Sequence, residues 1–159
     1  YEVLYTFGYY PLQQYLIEFP GGRLQATRVS WDSRENKWFN QYAGGKIHHR
    51  DWLHWTGNAQ NWNTMCASCH STDLQKNYQF STDRYTTTWN EINVACETCH
   101  GAGSKHVELM NSNYQEGVRP PNFGLYYGKN TDPQLQLNTC APCHARKSDI
   151  AQKFMQTSE

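Results

Sequence analysis

Apolar and polar positions follow two different rules along this chain, and the change comes near residue 50. Before it the pattern is that of strands. Tyr1-Glu2-Val3-Leu4-Tyr5 is a β-rich opening, and Gln14 to Phe19 reads as a strand. Pro20-Gly21-Gly22 is a turn signal. Leu24, Ala26 and Val29-Ser30-Trp31 follow with partial alternation, so a hairpin is predicted. Lys37 to Tyr42 adds a short strand before a turn at Gly44-Gly45. After residue 50 regular periodicity fades, and Asn and Thr become frequent. The expectation is α+β with much irregular structure: a small N-terminal β element over 1–45, then a region of short helices over 46–159.

Those helices are predicted around three copies of one motif: Cys66-Ala67-Ser68-Cys69-His70, Cys96-Glu97-Thr98-Cys99-His100 and Cys140-Ala141-Pro142-Cys143-His144. Asn63 or Thr64 is the expected cap of the first helix, and Asn138 or Thr139 of the third. Ser104 is the expected cap of a helix running to Met110. Asn111 to Lys129, with Pro120-Pro121 and several glycines, reads as a long loop, and Ile150 to Gln156 as a weak terminal helix. The linkers between motifs share no repeat.

Each motif reads C-x-x-C-H, the attachment signature of c-type haem. Two thiols form thioethers with the vinyl groups. The histidine, four residues after the first cysteine, lies on the same face of one helical turn and reaches the iron. The motifs use all six cysteines. Paired C-x-x-C also binds zinc, but three pairs fit a four-cysteine site badly. A thioredoxin-type motif is single and needs no following histidine. A purely structural disulfide framework is the further alternative in a secreted protein. Seven of 159 residues are histidine, so a histidine after all three pairs by chance is a roughly one-in-ten-thousand event. Three covalent haem c groups are expected, held by Cys66, Cys69, His70, Cys96, Cys99, His100, Cys140, Cys143 and His144.

Composition then makes sense. Leu, Ile, Val and Phe make up about one residue in six, and mean hydropathy is −0.86. That profile suggests disorder, but net charge is zero and aromatic residues are 14%. Porphyrins supply apolar surface that side chains do not, and six Trp and eleven Tyr suit packing against flat rings, or ordinary core filling. No long basic tract points to nucleic acid; the cluster at 144–147 suits a solvated helix face or propionate partners. No apolar run approaches a membrane span, and none of these 159 residues is read as a signal peptide. Because c-type haem is attached on the oxidising side of a membrane, a periplasmic or extracellular location is expected, with this chain a mature or trimmed product.

The sixth ligand of each iron decides function. A second histidine or methionine closes the iron and favours electron transfer; an open position permits catalysis. His48, His49, His54 and His106 lie outside the motifs, enough for three bis-histidine irons. His106 and His54 are expected ligands, with the His48/His49 pair supplying the third. Gly101 and Gly103 let the backbone turn sharply before His106. Met65 abuts its own proximal cysteine, and Met110 and Met155 are read as packing residues.

Tyr5-Thr6-Phe7-Gly8, Pro11 to Leu16, Gly22 to Gln25, Trp31-Asp32, Leu53 to Gly57, Asn61-Trp62-Asn63, Cys66 to Thr72 and Cys96 to His106 together resemble a family of exported multihaem (trihaem) cytochromes c. In many members tetratricopeptide repeats follow the cytochrome region. The resemblance implies a small β element before a haem-packed domain. It also favours His49 over the alternate His48, because the family pattern places a histidine before Asp-x-Leu-His-Trp. Ala102 departs from the proline common there, and the repeat part is absent.

The expected function is electron transfer, not catalysis. Partners are redox proteins or other copies of the chain, in the limit a polymerised conduit. The alternative is a multihaem enzyme with one open iron acting on a small inorganic substrate.

Overall fold

The computed structural model describes residues 1–112, 120–126 and 132–145. The fold is α+β, with strands first and short helices after, as expected. The chain divides into two compact units, Tyr1–Asn93 and Val94–Glu159, and the β-rich stretch 1–45 lies inside the first.

The first unit is built on β2 (Leu12–Phe19). β1 (Val3–Phe7) pairs antiparallel with one edge of β2, with a register shift between Val3 and Tyr5. The other edge is shared. The C-terminal half of β2 pairs with β3 (Arg23–Ala26) across the predicted Pro20-Gly21-Gly22 turn, and Leu12 and Gln13 pair with β4 (Val29–Asp32). β5 (Lys37–Asn40) pairs with β4, ending two residues short of the predicted Tyr42. Neighbouring residues of β2 point to opposite faces. Leu16 enters the core with Phe7, Leu24, Ala26, Trp62 and Ala67, each worth about 1.5–3 kcal/mol where a large side chain is fully removed from water. Tyr15 and Ile17, with Trp38 and Trp55, line a groove of about 480 Å³ on the other face.

The core is closed by α1 (Trp62–Met65) and α2 (Ala67–His70). A second hairpin, β6 (Tyr78–Gln79) with β7 (Arg84–Tyr85), has no counterpart in the sequence reading. Two-residue strands are too short to show alternation. Its rings Tyr78 and Tyr85 pack at a tilt of 39°, with centroids 4.6 Å apart.

The second unit contains α3 (Cys96–His100), α4 (Ser104–Asn111), a left-handed turn at Pro121–Gly124 and α5 (Pro133–His144). Three cap assignments need correction. Asn61, not Asn63 or Thr64, caps α1, its Oδ1 accepting from Thr64 N at 3.2 Å. Asn63 is buried instead. Asp132 caps α5 through Gln134 N and Leu135 N, at 2.9 and 3.2 Å, with Pro133 in the first turn. That start lies upstream of the expected Asn138 or Thr139, which are interior; Thr139 Oγ1 donates back to Leu135 O. Ser104 is the first residue of α4 rather than its cap, and Gly103 occupies the cap position. Of the expected loop from Asn111 to Lys129, Asn111 ends α4, residues 120–126 form a turn, and 113–119 and 127–129 lie outside the described residues. The predicted helix at Ile150 to Gln156, Met155 and the 146–147 part of the basic cluster lie outside the described residues.

Candidate functional site

All three C-x-x-C-H motifs fold as one helical turn. In the first, Cys69 N and His70 N both donate to Cys66 O, at 3.1 and 3.0 Å. The second is the whole of α3, and the third is the last turn and a half of α5. A turn at 3.6 residues puts the two cysteines and the histidine of each motif on one side of its helix. Pro142 sits inside α5 near its end, where it cannot donate to residue 138.

The first motif is held by the core. Ala67, between its cysteines, is fully buried, and Cys66 packs against the same cluster. Burial pushes the Cys66 thiol up to about 11, with the nearby Cys69 adding to the rise. The exposed His70 ring meets the buried Phe7 edge-on at 5.9 Å. Asn63 ties the helix to the sheet: its Oδ1 accepts from Leu24 N at 2.7 Å, and its Nδ2 donates to Gly22 O and Thr87 Oγ1. Gln25, also buried, donates to Trp55 O and Gly57 O and so anchors the loop that carries His54. The sequence assigns Gln25 no role, and it predicts Asn63 as a helix cap rather than a buried tether. The signal available was a single polar residue inside an apolar run, Leu24-Gln25-Ala26, and an asparagine next to Trp62.

The second motif is set by backbone chemistry. Gly101 ends α3 at φ +73°, its N–H closing on Glu97 O at 3.0 Å. The Glu97 carboxylate then accepts from Gly103 N at 2.7 Å, bracing the turn into α4. His106 follows on α4.

The four remaining histidines differ in which nitrogen is committed. His106 Nδ1 lies 3.0 Å from Phe123 O. A carbonyl only accepts, so Nδ1 carries the proton and Nε2 presents a lone pair. His48 Nδ1 accepts from Arg50 N at 3.3 Å, and His54 Nδ1 accepts from Thr56 N at 3.3 Å with Thr56 Oγ1 at 2.8 Å. The backbone contacts suit a proton on Nε2 of both rings, while the Thr56 Oγ1 contact of His54 fits either tautomer. The His49 and His48 rings lie against each other tilted by 41°, with centroids 4.0 Å apart. Successive turns, Asp51 N to His48 O, His54 N to Asp51 O and Gly57 N to His54 O, fix the spacing of this stretch.

Among the described residues no three His, Cys, Asp or Glu side chains gather as they would around a bare metal ion. A haem would need no such gathering, because a C-x-x-C-H motif holds such a group locally. The second unit fits that demand in another way: none of its described residues is buried, while Leu137, Val107 and Val94 are 61%, 55% and 52% exposed. Two C-x-x-C-H turns with no buried side chain among the described residues around them suit a flat apolar group as the core. None of the described helices is long and apolar enough to cross a membrane.

Comparison with known proteins agrees with this chemistry over part of the chain. Residues 29–101 match the family described as cytochrome c554 and c-prime, a little under half of the chain. The match includes the first two motifs with His48, His49 and His54, but neither His106 nor the third motif. Two solved structures are similar. The outer cell wall cytochrome OcwA is 20% identical over 62% of this chain and 19% of its own, with a TM-score of 0.39. An undecahaem cytochrome from the S-layer of Carboxydothermus ferrireducens is 20% identical over 89% and 18%, with a TM-score of 0.48. The chain thus spans less than a fifth of either protein. No curated protein matches it.

Proposed function

We propose that this chain is an electron-transfer protein carrying three covalent haem c groups, bound over residues 46–159. The observation that carries the reading is that all three C-x-x-C-H motifs are helical turns, two of them in a unit whose described residues bury no side chain. Bound haem c supplies a one-electron iron couple and a conjugated ring that passes the electron on. The chain's own residues do the rest. Cys66, Cys69, Cys96, Cys99, Cys140 and Cys143 would hold the three groups through thioether bonds to their vinyl carbons. His70, His100 and His144 bind iron on the proximal side.

His106, His54 and His49, with His48 the alternate, serve as distal ligands. His106 has the required Nε2 lone pair as placed. His54 reaches the same state by moving its proton to Nδ1, where Thr56 Oγ1 at 2.8 Å accepts it. Closed irons favour transfer over catalysis. The attachment chemistry places the protein in the periplasm or outside the cell, with redox proteins or further copies of the chain as partners, in the limit a filament.

Intact mass and pyridine haemochrome absorbance of the purified protein test the central claim. Three haems per chain with low-spin bis-histidine spectra are expected; fewer than three overturns it. Dispersed small particles by electron microscopy remove the filament.

One observation favours a second reading. His48 Nδ1 and His54 Nδ1 each meet a backbone N–H, from Arg50 and Thr56, at 3.3 Å, a state in which Nε2 holds the ring proton; an iron that took neither ring would be an open site acting on a small inorganic substrate. Stoichiometric carbon monoxide binding at one reduced haem would establish it.

A further inference from the structure

We propose that the left-handed turn at Asn122–Gly124 is a positioning device for His106, which fixes its ring and lowers the potential of the haem it binds. The inference rests on the reading of His106 as a distal ligand. Asn122, Phe123 and Gly124 have φ of +52°, +55° and +80°. This is a conformation that a bulky residue such as Phe rarely adopts. Its effect is to aim the Phe123 carbonyl at His106 Nδ1, 3.0 Å away. Two residues further on, Tyr126 N donates to His100 O at 2.9 Å. One short segment therefore ties down both the end of the second motif and the ring of the candidate distal ligand.

Gly124 is the residue that permits this. A Cβ there would lie 3.1 Å from Leu109 Cδ1, 3.2 Å from Lys105 Cγ and 3.5 Å from His106 N. The turn thus rests directly on α4, and a side chain is disfavoured by both its φ and its neighbours. The electronic consequence follows from the hydrogen bond. A carbonyl that accepts from Nδ1–H makes the imidazole a stronger donor at Nε2 and stabilises the ferric state, which lowers the potential. It also fixes the ring plane, to which a low-spin ferric haem is sensitive.

Gly124→Ala is the test, measured with His106→Ala. His106→Ala is expected to convert one of the three haems from low to high spin. In Gly124→Ala all three haems stay attached and low-spin, one potential rises, and one set of electron paramagnetic resonance g-values changes. Gly124→Asn, which tolerates positive φ, should recover part of the shift. If His106→Ala leaves every haem spectrum unchanged, the ligand assignment fails and the inference with it. If His106→Ala alters one haem while Gly124→Ala matches the wild type, this inference alone fails. Should Gly124→Ala not accumulate, wild-type protein labelled with ¹⁵N-histidine decides. One axial Nδ1–H, identified by its loss in His106→Ala, should exchange slowly with solvent; exchange as fast as at an exposed imidazole overturns the proposal.

Discussion

The same C-x-x-C-H turn is built into two kinds of surroundings. In Tyr1–Asn93 it rests on a side-chain core: Ala67 and Trp62 are fully buried, and Asn63 pins α1 to β3. In Val94–Glu159 two copies stand among described residues of which none is buried, held by a helix cap, a glycine at positive φ and the Glu97 brace. A local backbone motif needs no core to form one turn. A compact unit does need apolar contact from somewhere. The first unit draws it from a sheet packed on two short helices; on the proposed function, the second draws it from haem.

Removing haem from each unit in turn is the strongest test of this contrast. The Cys96→Ser/Cys99→Ser protein should lose one of three haems and most amide protection across 94–112. The amides of Leu16, Leu24 and Trp62 should change little. The Cys66→Ser/Cys69→Ser protein should also lose one haem, yet keep the protected sheet. Hydrogen exchange with mass spectrometry reads both. A second unit that stays protected without its haem would break the comparison.

Trp62→Ala attacks the other side. A fully buried Trp exchanged for Ala costs about 3–5 kcal/mol. The loss should appear in exchange of the sheet amides while the second unit's haems keep their spectra. Equal loss in both units would mean that they share their stability.

The legible parts of this molecule were those in which chemistry is local in sequence. Strand alternation and the Pro20-Gly21-Gly22 turn gave β2 and β3 to within a few residues. The C-x-x-C-H strings gave helical turns because cysteine and histidine must share a face. Caps were less legible: Asn61, Asn63, Thr64, Asp132 and Asn138 are all plausible caps from type alone, and tertiary demand on Asn63 removed it from that duty. The bond from His106 to the Phe123 carbonyl joins residues 17 apart through a left-handed turn, which no periodicity announces.

Asn63 gives a smaller and more local effect. Asn63→Ala leaves Leu24 N–H buried without its 2.7 Å acceptor, at a cost of about 1–3 kcal/mol. Urea unfolding of the first unit should shift accordingly. The first motif's haem should stay attached, since its thioethers do not depend on Asn63. A shift confined to the second unit would contradict the assignment of Asn63 to the first unit's framework.

The smallest expected effect lies on the β6–β7 hairpin and is read by pH. The Asp83 carboxylate accepts from Tyr78 Oη at 2.7 Å and from Arg23 Nη2 at 2.5 Å. The Tyr78 hydroxyl first, and the Arg23 guanidinium second, hold its carboxyl below the usual aspartate range, and the Tyr78 phenol is raised in turn by the same bond. Asp83 therefore binds its proton less readily folded than unfolded. Its contribution is fully present above the ordinary aspartate value, about 4, and is lost as pH falls through the lower folded value. Asp83 is exposed and Arg23 partly so, at 65% and 31%, so solvent screens the pair and added salt should weaken it. Tyr78→Phe should move the Asp83 titration, followed by carboxyl-carbon NMR, upward toward the ordinary value. Because Arg23, Tyr78 and Asp83 all lie in the first unit, exchange in the second should not respond. An Asp83 titration unchanged in Tyr78→Phe would show that Arg23 alone sets it.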